Sequence, residues 1–288
     1  MKNIIYLIRP HHYIKNILIL LPLFFSGQFI NISQVLNGLI AFFAFSISAS
    51  AIYIFNDYID IKNDRKHPKK KYRPLASGSI NKSISLYLMI FFLIIGIFTM
   101  YFVSINSLIV LIIYIILNLL YSLKLKQISL LDIYIISFGF VSRLYVGSFA
   151  YNVKLEFWII IMTFLLALFL ALAKRRDDVL ILNNTKTKMR KSIDGYNLKL
   201  IDGSMFIMSS VIIVAYIQYT TSLKIIEKFN NENLYLTTLF VIFGIMRYMQ
   251  ITLVKKKSGS PTEVILKDKI IQINLIFWIL SFALIIYN

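Results

Sequence analysis

Three closely spaced aspartates, Asp57, Asp60 and Asp64, are the residues of this chain whose type and spacing best suit chemistry. On a helix that turns about 100° per residue they fall within roughly 60° of one another, with Asn56 at the edge of their face. Carboxylates this close repel unless a cation neutralises them, and Mg²⁺ prefers such oxygen ligands together with substrate phosphates. The motif therefore predicts a magnesium and diphosphate site. The alternative is a solvated helix end balanced by Arg65 and nearby lysines.

A cationic loop with proline and glycine follows the aspartates at residues 67–78. Cationic side chains and backbone N–H groups that lie outside regular structure can hold phosphate oxygens. The candidate phosphate ligands in and beside this loop are Arg65, His67, Lys70 and Arg73. A single lysine at such a place is also a common membrane-surface charge.

The composition indicates what kind of protein must position these groups. The 288 residues are 58% hydrophobic and only 15% charged, and the mean hydropathy is +0.74, far above the balance of a soluble domain. Cysteine is absent, which excludes disulfides and thiolate metal sites. Nine apolar stretches are long enough to cross a bilayer as helices: 16–31, 35–58, 83–103, 106–122, 130–150, 155–173, 203–222, 234–251 and 270–288. The sequence predicts an all-α polytopic membrane protein, a bundle of nine transmembrane helices forming one domain over residues 1–288.

The distribution of Lys and Arg predicts the orientation of the chain. Most of the 31 such residues fall in the N-terminal segment and in every second loop between the predicted spans. By the positive-inside rule, the N-terminus is cytoplasmic, the C-terminus is outside, and the aspartates lie at the cytoplasmic face of a bacterial inner (plasma) membrane. This topology accounts for much of the net charge of +18, and no nucleic-acid partner is expected.

The segment "NDYIDIKNDRKHPKKKYRPLASG" at 56–78 resembles the first aspartate-rich signature, N-D-x-x-D-x-x-x-D, of the UbiA-type intramembrane prenyltransferase superfamily, whose members have nine membrane helices. It is similar in more detail to the polyprenyl-phosphate phosphoribosyltransferase branch, in which the motif continues as D-R-x-H-P-x-K-x-x-R-P-x-A-S-G. Further segments resemble that branch in order and spacing, so that the resemblance covers almost the whole chain: "RPHHYIKN", "YSLKLK", "LDIYIISFGFVSRLYVGSFA", "LFLALAKRRDD", "FGIMRYM" and "SPTEVILKD".

The resemblance implies transfer of a 5-phosphoribosyl group from 5-phosphoribosyl 1-diphosphate to a polyprenyl phosphate, with release of pyrophosphate, for cell-envelope glycan precursors. It implies Mg²⁺ as cofactor, held by Asn56, Asp57, Asp60 and Asp64, and it places Tyr121 and Lys126 in the substrate site. Membrane lipids surround the chain, and a homo-oligomer is left open.

One segment departs from the pattern of the wider superfamily. Members that act on aromatic substrates usually carry a second aspartate-rich motif after span six, whereas this chain has Lys174, Arg175 and Arg176 before Asp177 and Asp178, without D-x-x-x-D spacing. These cations suit two phosphorylated substrates, and Lys174 and Arg175 are predicted to bind phosphate. The alternative is an ordinary cationic helix end.

Three further features are weaker signals. Arg143 lies inside span five and needs a partner, which is either a bound phosphate or Asp132, eleven residues earlier on the same face and roughly 16 Å away. Near the N-terminus, Arg9, Lys15 and Asn16 either contact a lipid phosphate or only fix the topology. Residues 260–268 read as a helix start with a capping box, in which Glu263 and Asp268 are structural.

Two other functions remain as alternatives. A prenyltransferase that ionises an allylic diphosphate, and attaches the chain to an aromatic or other acceptor, would use the same aspartates. A transporter for polyprenyl-linked sugars would place its ionisable residues near the membrane midplane and would often show inverted repeats. In this sequence the charges gather at one membrane edge, and no convincing repeat is present.

Overall fold

A computed structural model describes residues 2–26, 31–66, 70–185, 191–255 and 261–287, and the regular structure in these ranges is helical. The α-helices are α1 (Lys2–Ile8), α2 (Leu21–Phe25), α3 (Ile32–Ile59), α4 (Ile61–Lys66), α5 (Pro74–Ser77), α6 (Lys82–Val103), α7 (Ile105–Leu123), α8 (Leu131–Tyr151), α9 (Phe157–Thr185), α10 (Leu198–Thr220), α11 (Leu223–Phe229), α12 (Thr238–Met249), α13 (Pro261–Lys267) and α14 (Lys269–Tyr287). Of the predicted site residues, His67 lies outside the described ranges.

Eight of the described helical segments are long and apolar enough to cross a membrane. They are α3, α6, α7, α8, the greater part of α9, α10, the segment Asn233–Val254 that contains α12, and α14. The prediction of an all-α, multi-pass membrane protein is confirmed.

The described ranges thus hold eight such helices rather than the predicted nine, and the difference lies at the first predicted span. Residues Pro10–Leu20 form a 3₁₀ helix that passes directly into the short α2. A 3₁₀ helix rises about 2.0 Å per residue, so this helix and α2 together cover about 30 Å, the thickness of the hydrocarbon core. The segment is therefore long enough to cross without being one long α-helix.

Side-chain contacts explain why this segment takes the tighter helix. Tyr13 and Asn16, one 3₁₀ turn apart, bond Ser50 and Ser46, which lie one α-turn apart on α3. The backbone also packs closely against α8, because a Cβ added at Gly147 would overlap the Ile19 carbonyl. Side chains three residues apart on the 3₁₀ helix Pro10–Leu20 therefore meet side chains four residues apart on α3, because one turn of either helix covers a similar length.

Three of the long helices begin at asparagines whose side chains accept a backbone N–H bond. Asn31 caps α3, Asn81 caps α6 and Asn197 caps α10. Each cap satisfies one of the donors that a helix start leaves unpaired. These short polar residues at the ends of apolar stretches fix where the spans begin.

The chain divides into two compact units. Residues 1–126 and 138–155 form the first, and residues 127–137 and 156–288 form the second. The first unit has a buried cluster that includes Phe45 and Leu111, and the second has one that includes Phe169 and Tyr248. The single domain over residues 1–288 stays a prediction.

Candidate active site

The aspartates lie where α3 gives way to α4. Asp60 lies between the two helices. Its backbone N–H donates to the Asn56 carbonyl at 3.0 Å, and the Asp64 N–H donates to the Asp60 carbonyl at 2.8 Å, both with the spacing of an α-helix. Because the helical path continues through this junction, Asp57 and Asp64 stay on one side of it. Both carboxylates are buried, with exposed fractions of 2% and 3%.

Asp57 and Asp64 converge on one guanidinium group. Arg73 Nη1 donates to Asp57 Oδ1 at 2.9 Å and to Asp64 Oδ2 at 2.8 Å. Arg9 Nη2 donates to both Asp57 oxygens at 2.6 Å. The two carboxylates therefore form one anionic centre that is neutralised by two arginines from distant parts of the sequence.

The backbone around Arg73 follows from its neighbours. Pro74 restricts the residue before it to extended conformations, and Arg73 has φ −62° and ψ 143°. Pro74 also starts α5, which ends at Ser77, and the next residue, Gly78, has a φ of 79°, the left-handed conformation that glycine adopts readily. The "RPLASG" stretch thus forms a turn that places the Arg73 backbone beside the aspartates.

Asp60 has a different partner. Lys126 Nζ donates to its two carboxylate oxygens at 2.7 and 2.8 Å and to Asn56 Oδ1 at 3.3 Å. Lys126 belongs to the short 3₁₀ turn Leu125–Gln127, which follows α7. The structure therefore brings together all four predicted metal-site residues and two predicted phosphate ligands, but it arranges the aspartates as a pair and a single carboxylate.

The carboxylates of this site could supply part of the ligand set of a metal ion. Within the described ranges, no group of three acidic or histidine side chains is already arranged to hold one. Mg²⁺, however, is usually held by one or two carboxylates together with substrate phosphates and water. Asp57 and Asp64, which already share one cation, fit this need if Arg73 moves aside.

Burial raises the pKa of the Asp64 carboxyl, and the charge of Arg73 opposes this effect. Removing that charge without another cation in its place would favour the protonated acid. The Asp64 carboxylate therefore depends on a cation beside it, whether the cation is a guanidinium or a metal.

The remaining predicted residues of the first unit lie at several places. Arg65 Nε donates to the Ala76 carbonyl at 3.0 Å and so holds α4 against α5. Lys70 is in a short 3₁₀ turn, Tyr121 is on α7, and Lys15 is on the Pro10–Leu20 helix. Substrate binding by each of them stays a prediction.

Arg143 has a partner that the sequence did not indicate. Its Nε donates to Asn16 Oδ1 at 2.7 Å, its Nη2 to Tyr114 OH at 3.4 Å, and its Nη1 to the Gly139 carbonyl. The centroids of three aromatic rings lie 4.9 to 5.4 Å from the central carbon of the Arg143 guanidinium. The proposed pairing with Asp132 is wrong, because Arg143 instead anchors the Pro10–Leu20 helix through Asn16. Phosphate binding by Arg143 stays a prediction.

Asp132 pairs with Arg175 in the second unit. Arg175 Nε donates to Asp132 Oδ2 at 2.7 Å, and Arg175 Nη1 donates to Asp178 at 2.7 Å. Tyr196 OH and Ser192 Oγ also donate to Asp132, at 2.7 and 3.1 Å. Asp132 and Arg175 are 0% and 1% exposed. These contacts give Arg175 a structural role, and its role as a phosphate ligand stays a prediction.

The neighbouring cations differ in their surroundings. Arg176 is buried, where it donates to Asp202 at 2.7 Å and to the Thr252 carbonyl at 2.9 Å, in the π-helical turn Gln250–Val254. The Lys174 side chain is exposed. Among these three cations, Lys174 is the best placed to meet a solute.

Two acidic residues of the predicted capping segment, Glu263 and Asp268, form ion pairs. Asp268 accepts from Arg247 at 2.8 Å and from the Ile271 N–H at 3.0 Å near the start of α14. Glu263 pairs with Lys267 at 3.2 Å on the surface of α13. The contacts of Asp268 agree with the structural role predicted for it. The capping box predicted for Glu263 stays a prediction, because its partner Ser260 lies outside the described ranges.

The Arg175 pair yields a prediction about stability. Arg175→Met would leave Asp132 charged and buried without its cation, which costs about 3 to 5 kcal/mol of unfolding free energy. We expect a clearly lower midpoint in thermal unfolding of the detergent-solubilised chain. Adding Asp132→Asn should recover part of the loss, as in a double-mutant cycle. Full stability of the Arg175→Met variant would contradict a structural role for the pair.

Comparisons with known proteins assign the chain to a family. It is 28% identical to decaprenyl-phosphate phosphoribosyltransferase of Mycolicibacterium smegmatis, over 99% of this chain and 93% of that protein. It is 27% identical to the protein of the same name from Corynebacterium glutamicum, over 97% and 85%. A UbiA homologue from Archaeoglobus fulgidus, solved with GPP and Mg²⁺, has the same fold, with a TM-score of 0.72, 15% identity and 99% coverage of both chains. The family pattern itself matches residues 18–276, and this chain belongs to the UbiA prenyltransferase family.

Proposed function

We propose that the chain transfers a 5-phosphoribosyl group from 5-phosphoribosyl 1-diphosphate to a polyprenyl phosphate and releases pyrophosphate, as a step toward cell-envelope glycan precursors. The observation that carries this proposal is the similarity, over 97% to 99% of the chain, to enzymes named decaprenyl-phosphate phosphoribosyltransferase. Two observations at the site support it. The buried pair Asp57 and Asp64 is neutralised by Arg9 and Arg73, and Asp60 is paired with Lys126. Cations gathered in this way suit two anionic substrates.

Mg²⁺ is the proposed cofactor, with Asp57 and Asp64 as its carboxylate ligands and with Asp60 and Asn56 as further oxygen donors. Bound there, it would neutralise negative charge on the departing diphosphate. UbiA homologues from Archaeoglobus fulgidus were solved with Mg²⁺ and either DMAPP or GPP, which supports use of a divalent metal with a diphosphate.

The residues of the chain contribute charge and position rather than proton transfer. A lipid phosphate oxygen attacks the anomeric carbon while the bond from that carbon to the diphosphate breaks. The attacking oxygen is already anionic and needs no general base. Arg73 and Lys126, which already bond the aspartates, are proposed to hold phosphate oxygens, and Arg9 shares Asp57 with Arg73. Lys15 is a further proposed phosphate ligand of the first unit. Catalysis is then positioning together with electrostatic stabilisation of developing charge.

The proposed setting is the bacterial inner membrane, with a cytoplasmic N-terminus, an external C-terminus and the aspartates at the cytoplasmic face. The 3₁₀ helix Pro10–Leu20 and α2 support this orientation, because a first crossing there gives nine crossings in total. The positive-inside pattern of Lys and Arg supports the same arrangement.

Label transfer tests the proposed reaction directly. Purified protein is incubated with Mg²⁺, polyprenyl phosphate and 5-phosphoribosyl 1-diphosphate labelled in the ribose, and the organic phase is counted. We expect label in the lipid with polyprenyl phosphate and none with the matched polyprenol, which lacks the anionic phosphate oxygen that attacks. Transfer from an allylic diphosphate, with none from the phosphoribosyl donor, would contradict the proposal and favour prenyl transfer, the reaction for which the family is named.

Recognition of the 5-phosphate of the donor has its own test at Lys174. One charged contact to phosphate contributes roughly 10- to 150-fold in affinity. We expect Lys174→Ala to raise the apparent KM for 5-phosphoribosyl 1-diphosphate about tenfold, with a smaller effect on an analogue without the 5-phosphate. Lys154→Ala, which removes another exposed lysine, is the control. Equal losses for both donors would show that Lys174 does not read this phosphate.

A further inference from the structure

Two guanidinium groups occupy the carboxylates that are proposed to hold the metal. Arg73 bridges Asp57 and Asp64 through a single nitrogen, and Arg9 takes both oxygens of Asp57. The Asp57 carboxylate thus accepts three charged hydrogen bonds while it is almost fully buried. Without another ligand, the anionic centre is already neutralised from within the chain.

The Arg9 backbone indicates that this placement is held firmly. Its φ is 58° and its ψ is 57°, a left-handed conformation that residues with a side chain seldom adopt. Such conformations persist where the surrounding contacts over-determine them, and they concentrate at functional sites. The ion pair with Asp57 is one such contact, so Arg9 belongs to the site and not only to the membrane surface.

A metal ion and Arg73 cannot use these oxygens together. Arg73 Nη1 lies 2.9 Å from Asp57 Oδ1 and 2.8 Å from Asp64 Oδ2, so a cation held by these two oxygens would lie close to the same place. A metal ion and the Arg73 guanidinium crowded into the same place would repel each other strongly, because the site is buried. Metal entry therefore requires the guanidinium to leave, and a diphosphate offers it a better partner through bidentate, charge-assisted bonds.

We propose that Arg73, assisted by Arg9, is an internal counter-cation that keeps metal out of the empty site and makes binding of the metal and of the diphosphate mutually dependent. The inference rests on the proposed function in taking a diphosphate donor as substrate and a metal ion held by Asp57 and Asp64. Because coupling between two ligands is reciprocal, the diphosphate draws Arg73 away from the aspartates and opens them to the metal, and the metal releases Arg73 for the diphosphate.

A purely structural Arg73 has different consequences. If it only fastened the turn before α5 to α3, its removal would loosen the site and weaken every ligand. An internal counter-cation gives changes of opposite sign, because its loss uncovers two carboxylates for the metal and removes a ligand from the diphosphate. The sign of each change separates the two roles.

The experiment uses the 288-residue chain in detergent with two separate probes. Mn²⁺ alone is titrated by electron paramagnetic resonance, and pyrophosphate alone is titrated by calorimetry in EDTA. For Arg73→Gln we expect Mn²⁺ to bind about tenfold or more tightly and pyrophosphate to bind about tenfold more weakly than in the unchanged protein. Arg247→Gln, which removes the same charge from an ion pair in the second unit, should change neither affinity by more than about twofold.

Arg9→Gln is the second variant, in case Arg73→Gln does not yield folded protein. It uncovers Asp57 alone and should also tighten Mn²⁺ and weaken pyrophosphate, by about fivefold each. Unchanged or weaker Mn²⁺ binding in the folded variants would overturn the inference. Pyrophosphate is common to phosphoribosyl and allylic donors, so these titrations decide the inference even if label transfer contradicts the proposed function.

Discussion

Asp57→Asn is expected to lower turnover by about 100-fold or more, and Asp64→Asn is expected to have a similar effect. An amide is nearly isosteric with the carboxylate, but it brings no charge to a divalent cation. Both carboxylates are buried and accept hydrogen bonds from the same guanidinium, that of Arg73. Each variant therefore removes one of the two negative charges of this pair. Turnover is measured by label transfer into lipid, at equal amounts of monodisperse protein.

The control for this experiment is Glu263→Gln, the same chemical change at an exposed ion pair on α13. Its turnover should match that of the unchanged chain, because a surface pair contributes little. Each aspartate variant should still insert into the membrane. Near-normal turnover with Asp57→Asn or Asp64→Asn would mean that the carboxylate in question serves only as a partner for arginine.

Chelation is the second change with a large expected effect. EDTA in excess over the metal should abolish turnover, because the departing diphosphate would lose the cation that neutralises it. Adding Mg²⁺ beyond the chelator should restore turnover. The measurement is again label transfer, with both substrates at saturating concentration.

Chelator already saturated with Mg²⁺ serves as the control, since it adds the same solute without removing metal. Turnover with this control should equal turnover without chelator. Activity that persists in metal-free chelator would contradict the metal proposal and would leave Arg9, Arg73 and Lys126 as the cations that stabilise the leaving group.

Long-range pairs mark the limit of what could be predicted about the candidate site. The sequence indicated that Asp57, Asp60 and Asp64 need cations and that Arg143 needs a partner, because charges in an apolar environment are costly. It did not indicate that Arg9 meets Asp57 across 48 positions, or that Arg143 meets Asn16 across 127. Such partners depend on how helices pack, whereas a motif reports only neighbours along the chain.

The first predicted span shows a similar limit for secondary structure. Its length and apolar character are local properties, and they predicted a membrane crossing from about residue 16. The tighter helix Pro10–Leu20 arises from contacts of Tyr13 and Asn16 with serines on α3, and from close packing against Gly147. Periodicity along one segment cannot contain information about the surface on which that segment packs.

The sequence by itself determined the class of this protein, its all-helical membrane architecture and its family, because apolar length and the order of short motifs are properties of the chain alone. It also located the aspartates at the end of a membrane helix. Only the tertiary structure decided the ion pairs. Asp57 and Asp64 share Arg73, Lys126 donates to Asp60, and Arg175 donates to Asp132. The physical reason is that a buried charge must be paired, and the packing of distant segments selects its partner.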